Sequence, residues 1–164
     1  ADNADNLSWV IECITTIRSM KTDLNLPPTQ KLDAYLKTDR PGVAEVVAMF
    51  RPAIERIARL TSITVLDNSA HAPEKSAQSV FGRTTLFLPV GNVIDFGQEL
   101  KRINSQIEDV LSEIKQLEKK LANENFTSKA PAAVVEKQRK RLLEAQEQRE
   151  KLATAHKQLQ NMAG

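Results

Sequence analysis

The sequence predicts an α+β fold in which a small helix/strand domain is followed by a long antiparallel two-helix coiled-coil hairpin. Three features carry this expectation. Leu100, Ile103, Ile107, Val110, Ile114, Leu117 and Leu121 recur at alternating spacings of 3 and 4, a heptad seam. Before residue 95 the apolar pattern changes period in the order helix, strand, helix, strand, strand. The last third is crowded with Ala, Glu, Lys, Leu, Gln and Arg, the composition of long helices.

The elements follow in order. Leu7, Val10, Ile14, Ile17 and Leu24 share one helical face, with Trp9 and Met20 on its flanks, Asn6 as N-cap and Pro27-Pro28 as the stop. Leu32, Ala34 and Leu36 alternate with polar neighbours in a short strand, and Asp39-Arg40-Pro41-Gly42 turns the chain. A second helix runs from Val43 to Leu60 on Val46, Val47, Phe50, Ile54 and Ile57, with a kink or break expected at Arg51 because Pro52 follows. Ser62–Leu66 reads as a buried strand, 68–78 as a polar loop, and Val80–Leu88 as two strands about Gly82-Arg83. After the heptad seam, 123–131 breaks the pattern. A weaker seam then resumes at Val135, Gln138, Leu142, Ala145, Arg149, Leu152, His156 and Leu159. Arg149 and His156 stand where apolar residues are usual, so either the pairing slips there or their stems pack while their heads reach water.

The expected domains are residues 1–26, a terminal helix of a helical region, 27–95, a small α+β connecting domain, and 96–164, the coiled-coil arm with its tip at about 122–132. The chain opens on Ala-Asp-Asn, which suggests a piece of a longer protein. With 164 residues, Lys plus Arg at 23 and Asp plus Glu at 21, a net charge of +2 excludes whole-chain basicity. The basic excess is local: residues 1–95 sum to −1 and 96–164 to +3. The single cysteine, Cys13, excludes an internal disulfide and reads as an apolar filler; it fits a reducing, cytoplasmic setting. No apolar run reaches the roughly 18 residues of a membrane span, so no membrane partner is expected.

Catalytic signatures are missing. The five glycines are scattered, so no phosphate loop forms, and His71 and His156 lie outside any metal-ligand spacing. No catalytic, metal or cofactor residue is therefore assigned, and no cofactor is expected in this segment. The binding candidates are Lys119, Lys120, Lys129, Lys137, Arg139, Lys140 and Arg141, which fold-back of the two helices brings to one end. Such residues most often form a solvated helix surface with intrahelical ion pairs. A rod with a local basic zone also suits a phosphate backbone, which it can follow without reading sequence. Phe126 near the tip can stack on a base or pack against the helix ends.

The tip sequence, Lys120-Leu121-Ala122-Asn123-Glu124-Asn125-Phe126-Thr127-Ser128-Lys129-Ala130-Pro131-Ala132-Ala133-Val134-Val135-Glu136-Lys137, closely resembles the C-terminal hairpin of the valyl-tRNA synthetases, class I aminoacyl-tRNA synthetases. Leu86–Val90 through Val93-Ile94-Asp95 is similar to the segment leading into that arm. Ile14–Lys21 resembles the last helix of the family's anticodon-binding region, and Asn25-Leu26-Pro27-Pro28 the turn that closes it. The resemblance implies a non-catalytic tRNA-binding appendage of an ATP-dependent valine–tRNA ligase. ATP and Mg would serve a catalytic core outside this chain. The implied partners are tRNA, contacted through its backbone, and the parent's catalytic and anticodon-binding regions, with the chain a monomer. The seven basic residues are assigned by charge and position, not by the family. The alternative is a structural coiled-coil module for dimerisation or protein docking. A translation factor with a similar two-helix arm is a third reading.

Overall fold

The computed structural model describes residues 3–164, which form an α+β fold of five helices and a four-stranded mixed sheet. The described chain divides into two compact units, 1–93 and 94–164, the first lacking the undescribed residues 1 and 2.

The first unit contains α1 (Asn3–Asp23), β1 (Leu32–Thr38), α2 (Val43–Ala58), β2 (Leu60–Val65), β3 (Ser76–Phe81) and β4 (Thr84–Pro89). The sheet order is β2-β1-β4-β3. The α2 crossover makes β1 and β2 parallel, as a helical connection permits, while β4 runs antiparallel to both β1 and β3. Gly82, at φ +56°, is the first central residue of the two-residue β3–β4 turn, where glycine escapes the Cβ clash. Ile17, Leu36, Val47, Ile54, Ile63 and Leu86 are fully buried at the centre. Burying each such side chain contributes about 1.5–3 kcal/mol.

Three sequence expectations change here. α1 begins at Asn3, ahead of the expected Asn6 cap, and its buried face is Trp9, Val10, Cys13, Ile17, Met20 and Lys21. Leu7 is 49% exposed, so the face is rotated towards the positions assigned to its flanks. Burial pushes the Cys13 thiol up to about 12, so it stays protonated as a small apolar filler. α2 continues through Pro52 without a break. Ala48, whose carbonyl loses its helical donor there, is exposed, as is Pro52, so water can satisfy that carbonyl. Finally, β3 starts at Ser76, inside the stretch read as a polar loop.

Lys21 ties the helix ends together. Its Nζ donates to the carbonyls of Gln30 at 2.6 Å, Ala58 at 2.7 Å and Arg59 at 2.8 Å, with Pro28 at 3.4 Å. Ala58 is the last residue of α2 and Arg59, at φ 56°, its C-cap. The ammonium thus sits where a helix leaves its final carbonyls unpaired and its dipole negative. Burial, then the Arg59 charge, pulls Lys21 down to about 8.

The second unit contains α3 (Phe96–Ala122), α4 (Glu124–Lys129) and α5 (Ala132–Ala163). Asp95 caps α3 by accepting from Gln98 N at 3.1 Å. Val110 and Ile114 of α3 are buried with Ala145 of α5, and Leu142 and Leu152 pack against them. Ile103, Leu117, Val135 and Leu159 are also buried. Arg149 is exposed and His156 half-buried, so the α5 stripe is interrupted where the sequence carries polar residues.

Candidate nucleic-acid interface

The candidate residues lie on three successive helices. Lys119 and Lys120 occupy the last turn of α3, where the negative end of the helix dipole favours cations. Asn123 ends α3, its N–H donating to Lys120 O, and its side chain accepts from Asn125 N at 3.0 Å to start α4. Thr127 and Ser128 return hydroxyl hydrogen bonds to the backbone one turn back, and Lys129 closes α4. Pro131 then precedes α5, which carries Lys137, Arg139, Lys140 and Arg141. All seven candidates are exposed.

Their partners differ. Lys119, Lys120, Lys129, Lys137 and Lys140 have no ion-pair partner among the described residues. The Lys120 ammonium stands 4.8 Å from the centroid of the half-buried Phe126 ring. Arg139 pairs with Glu136 at 2.7 Å, three residues back on α5. Arg141 reaches across to α3, where Nη2 meets Glu113 Oε2 at 2.9 Å and Nε meets the other carboxylate oxygen; Glu144 lies 3.6 Å away. This fork raises Arg141 above its ordinary value, through Glu113 chiefly.

Helical spacing places these residues on different sides. At about 100° per residue, Lys137 and Arg141 share one flank of the buried α5 stripe, Arg139 falls on the other, and Lys140 faces away from it. On α3, Lys120 shares a flank with Glu113, seven residues earlier, and Lys119 points away from the seam. The site is therefore a cuff of charge around α4 and the adjoining helix ends, not a single stripe. The sequence missed Glu113 as the partner of Arg141. Its signal is a carboxylate beside the seam residue Ile114. Among the described residues no cluster of His, Cys, Asp or Glu can hold a metal ion, and no helix is long and apolar enough to cross a membrane.

Comparison with known proteins then places the segment. Residues 95–160, almost all of the second unit, match the family described as the valyl tRNA synthetase tRNA binding arm. The match extends beyond the arm. A valine–tRNA ligase of Mesorhizobium japonicum is 34% identical over 152 residues, covering 93% of this chain and 16% of the relative. One from Brucella melitensis is 33% identical over 165 residues, covering 98% of this chain and 17% of the relative. This chain corresponds to a C-terminal valyl-tRNA synthetase region. A Syntrophotalea carbinolica valine–tRNA ligase, 33% identical over 144 residues, covers 88% of the chain and contributes 16% of its own length. The chain thus spans about a sixth of the curated relatives it matches. Within the valyl-tRNA synthetase match, the cuff of basic residues falls wholly inside the arm segment.

Proposed function

We propose that this chain is the tRNA-binding C-terminal appendage of a valine–tRNA ligase, contacting the tRNA backbone with the arm formed by residues 96–164. The observation that carries this reading is that the arm-family match covers all seven exposed basic residues around α4. The arm is read as an antiparallel coiled coil with its tip at about 122–132. Two facts support that: the shared burial of Val110, Ile114 and Ala145, and the Arg141–Glu113 pair joining α3 to α5. Residues 1–26 are read as the end of an anticodon-binding helical region and 27–95 as a connecting domain. The parent enzyme joins valine to tRNA with ATP and Mg, in a cytoplasmic setting, and the arm adds a second contact that raises the effective concentration of tRNA at its active site.

Basic side chains presented on helix surfaces meet phosphates and carry little base information, so cognate and non-cognate tRNAs bind alike and salt weakens both steeply. Fluorescence anisotropy of the chain against valine tRNA and one other tRNA across a salt series tests this. Absence of binding at low salt contradicts it, as does unchanged affinity after all seven residues are replaced by Gln.

A second reading rests on Leu143 at 62%, Val134 at 40% and Leu111 at 39% exposure on α3 and α5. Apolar side chains left on an arm surface suit a structural module that dimerises or docks another protein. Sedimentation at several concentrations separates the two, since the tRNA reading has the chain monomeric.

A further inference from the structure

We propose that the basic residues divide by partner: Lys119, Lys120, Lys129, Lys137 and Lys140 supply the charge that meets tRNA phosphates, whereas Arg141 is a positioning residue that holds α5 in register against α3 through Glu113, and Arg139 is neutralised by Glu136. This rests on the tRNA-binding reading above and deepens it.

The five lysines are exposed, and no described carboxylate lies within ion-pair distance of them. An unpaired ammonium is free to neutralise a phosphate, and release of the counterions condensed around that phosphate drives such binding. The lysines come from the end of α3, the end of α4 and the early turns of α5, so they surround the tip from three helices. The Lys120 ammonium also lies over the Phe126 ring. That contact holds its position without cancelling its charge.

Arg141 is differently placed. Its fork grips both oxygens of Glu113, beside Ile114 on α3, while Leu142 follows it on α5 at the packed stripe. Sliding one helix past the other by a turn would separate the two groups by about 5.4 Å. The pair therefore selects one register, and a phosphate could engage Arg141 only by displacing a bidentate carboxylate. Arg139 lies on the opposite flank of α5 from Lys137 and has its charge met by Glu136.

The experiment measures tRNA anisotropy with the full chain and three charge variants over a salt series. Replacing the five lysines by Gln is expected to lower low-salt affinity at least about tenfold and to reduce the log–log salt slope by about one per lysine. The double substitution Glu113→Arg with Arg141→Glu keeps the net charge and restores the pair in reverse. It should bind within about twofold of the parent chain. Arg141→Glu alone should lower the thermal midpoint of the helical circular dichroism signal, and the swap should restore it. Glu136→Arg with Arg139→Glu should likewise bind within about twofold. The inference is overturned if either swap weakens binding as much as the lysine set, or if the lysine set leaves the slope unchanged. Failure of the parent chain to bind tRNA at all would sink the tRNA reading first, before any variant is compared.

Discussion

Replacing Lys21 by Met keeps the packed stem and removes the donor that three carbonyls share at 2.6–2.8 Å. Lys21 is 1% exposed and Ala58 is 1% exposed, so the Ala58 carbonyl has no route to water after the change. A buried carbonyl without a donor costs about 1–3 kcal/mol. The Ala58 group takes the middle of that range, while Gln30 and Arg59, on more open residues, take the low end. The three sum to about 4 kcal/mol. Relief from burying an ammonium offsets part of this, and a net loss of about 2 kcal/mol remains. Trp9, the only tryptophan, is buried in the first unit against Phe81 at 5.7 Å, so its fluorescence reports on that unit alone. With a urea slope of about 1.3 kcal/mol per M for a unit this small, the midpoint should fall by about 1.5 M. A fall smaller than about 0.3 M would refute the view that Lys21 is the cap on α2.

The same residue gives a pH dependence. Lys21 sits at about 8 when folded against 10.5 when free, so between those values the unfolded chain holds a proton that the folded unit has shed. Stability from this group is therefore flat below pH 8 and rises towards 10.5. Cys13 acts oppositely above pH 9, its thiol being raised by burial, so the readout is the difference between parent and Lys21→Met in urea midpoint at pH 7.5 and 10. That difference should widen with pH; a constant or shrinking gap contradicts the assignment. In the second unit, Ala145→Leu should lower the circular dichroism midpoint by the equivalent of about 1–3 kcal/mol, since Ala145 is fully buried against Val110 and Ile114. An unchanged melt would mean that the helices do not close on this residue.

The parts of the fold that the sequence revealed are those where one face of an element had to be apolar. α3 is the clearest: Ile103, Val110, Ile114 and Leu117, all on the 3-4 seam, are its buried residues. α1 was harder because its apolar residues spread over about 200° of the helix, more than its neighbours cover. Periodicity alone cannot choose Trp9, Cys13 and Met20 over Leu7, which the neighbouring elements decide. The start of β3 was invisible for another reason. Its inward residue is Ala77, too small to mark an alternation, and pairing with Leu88 on β4 makes it a strand. The candidate site was legible as composition and as a position in the chain. Its internal pairing was not, because the Arg141–Glu113 contact joins residues 28 apart and depends on how two helices meet. Lys21 left a clue, lying one helical turn beyond Ile17 on a face otherwise apolar.

Asn123 does double duty between α3 and α4: one backbone N–H finishes a helix and one side-chain oxygen begins the next. The connection at the tip is thereby a turn of hydrogen-bonded helix instead of a free loop. Ordering a loose connection at the moment of association would cost roughly 0.5–1.5 kcal/mol for each immobilised side chain. Here folding has already fixed the backbone from which Lys120 and Lys129 project, so that part of the entropy is lost before a ligand arrives. Asn123→Gly would keep the charge and the contour length yet remove the side-chain cap on α4 and return this freedom, weakening association without touching a single basic residue.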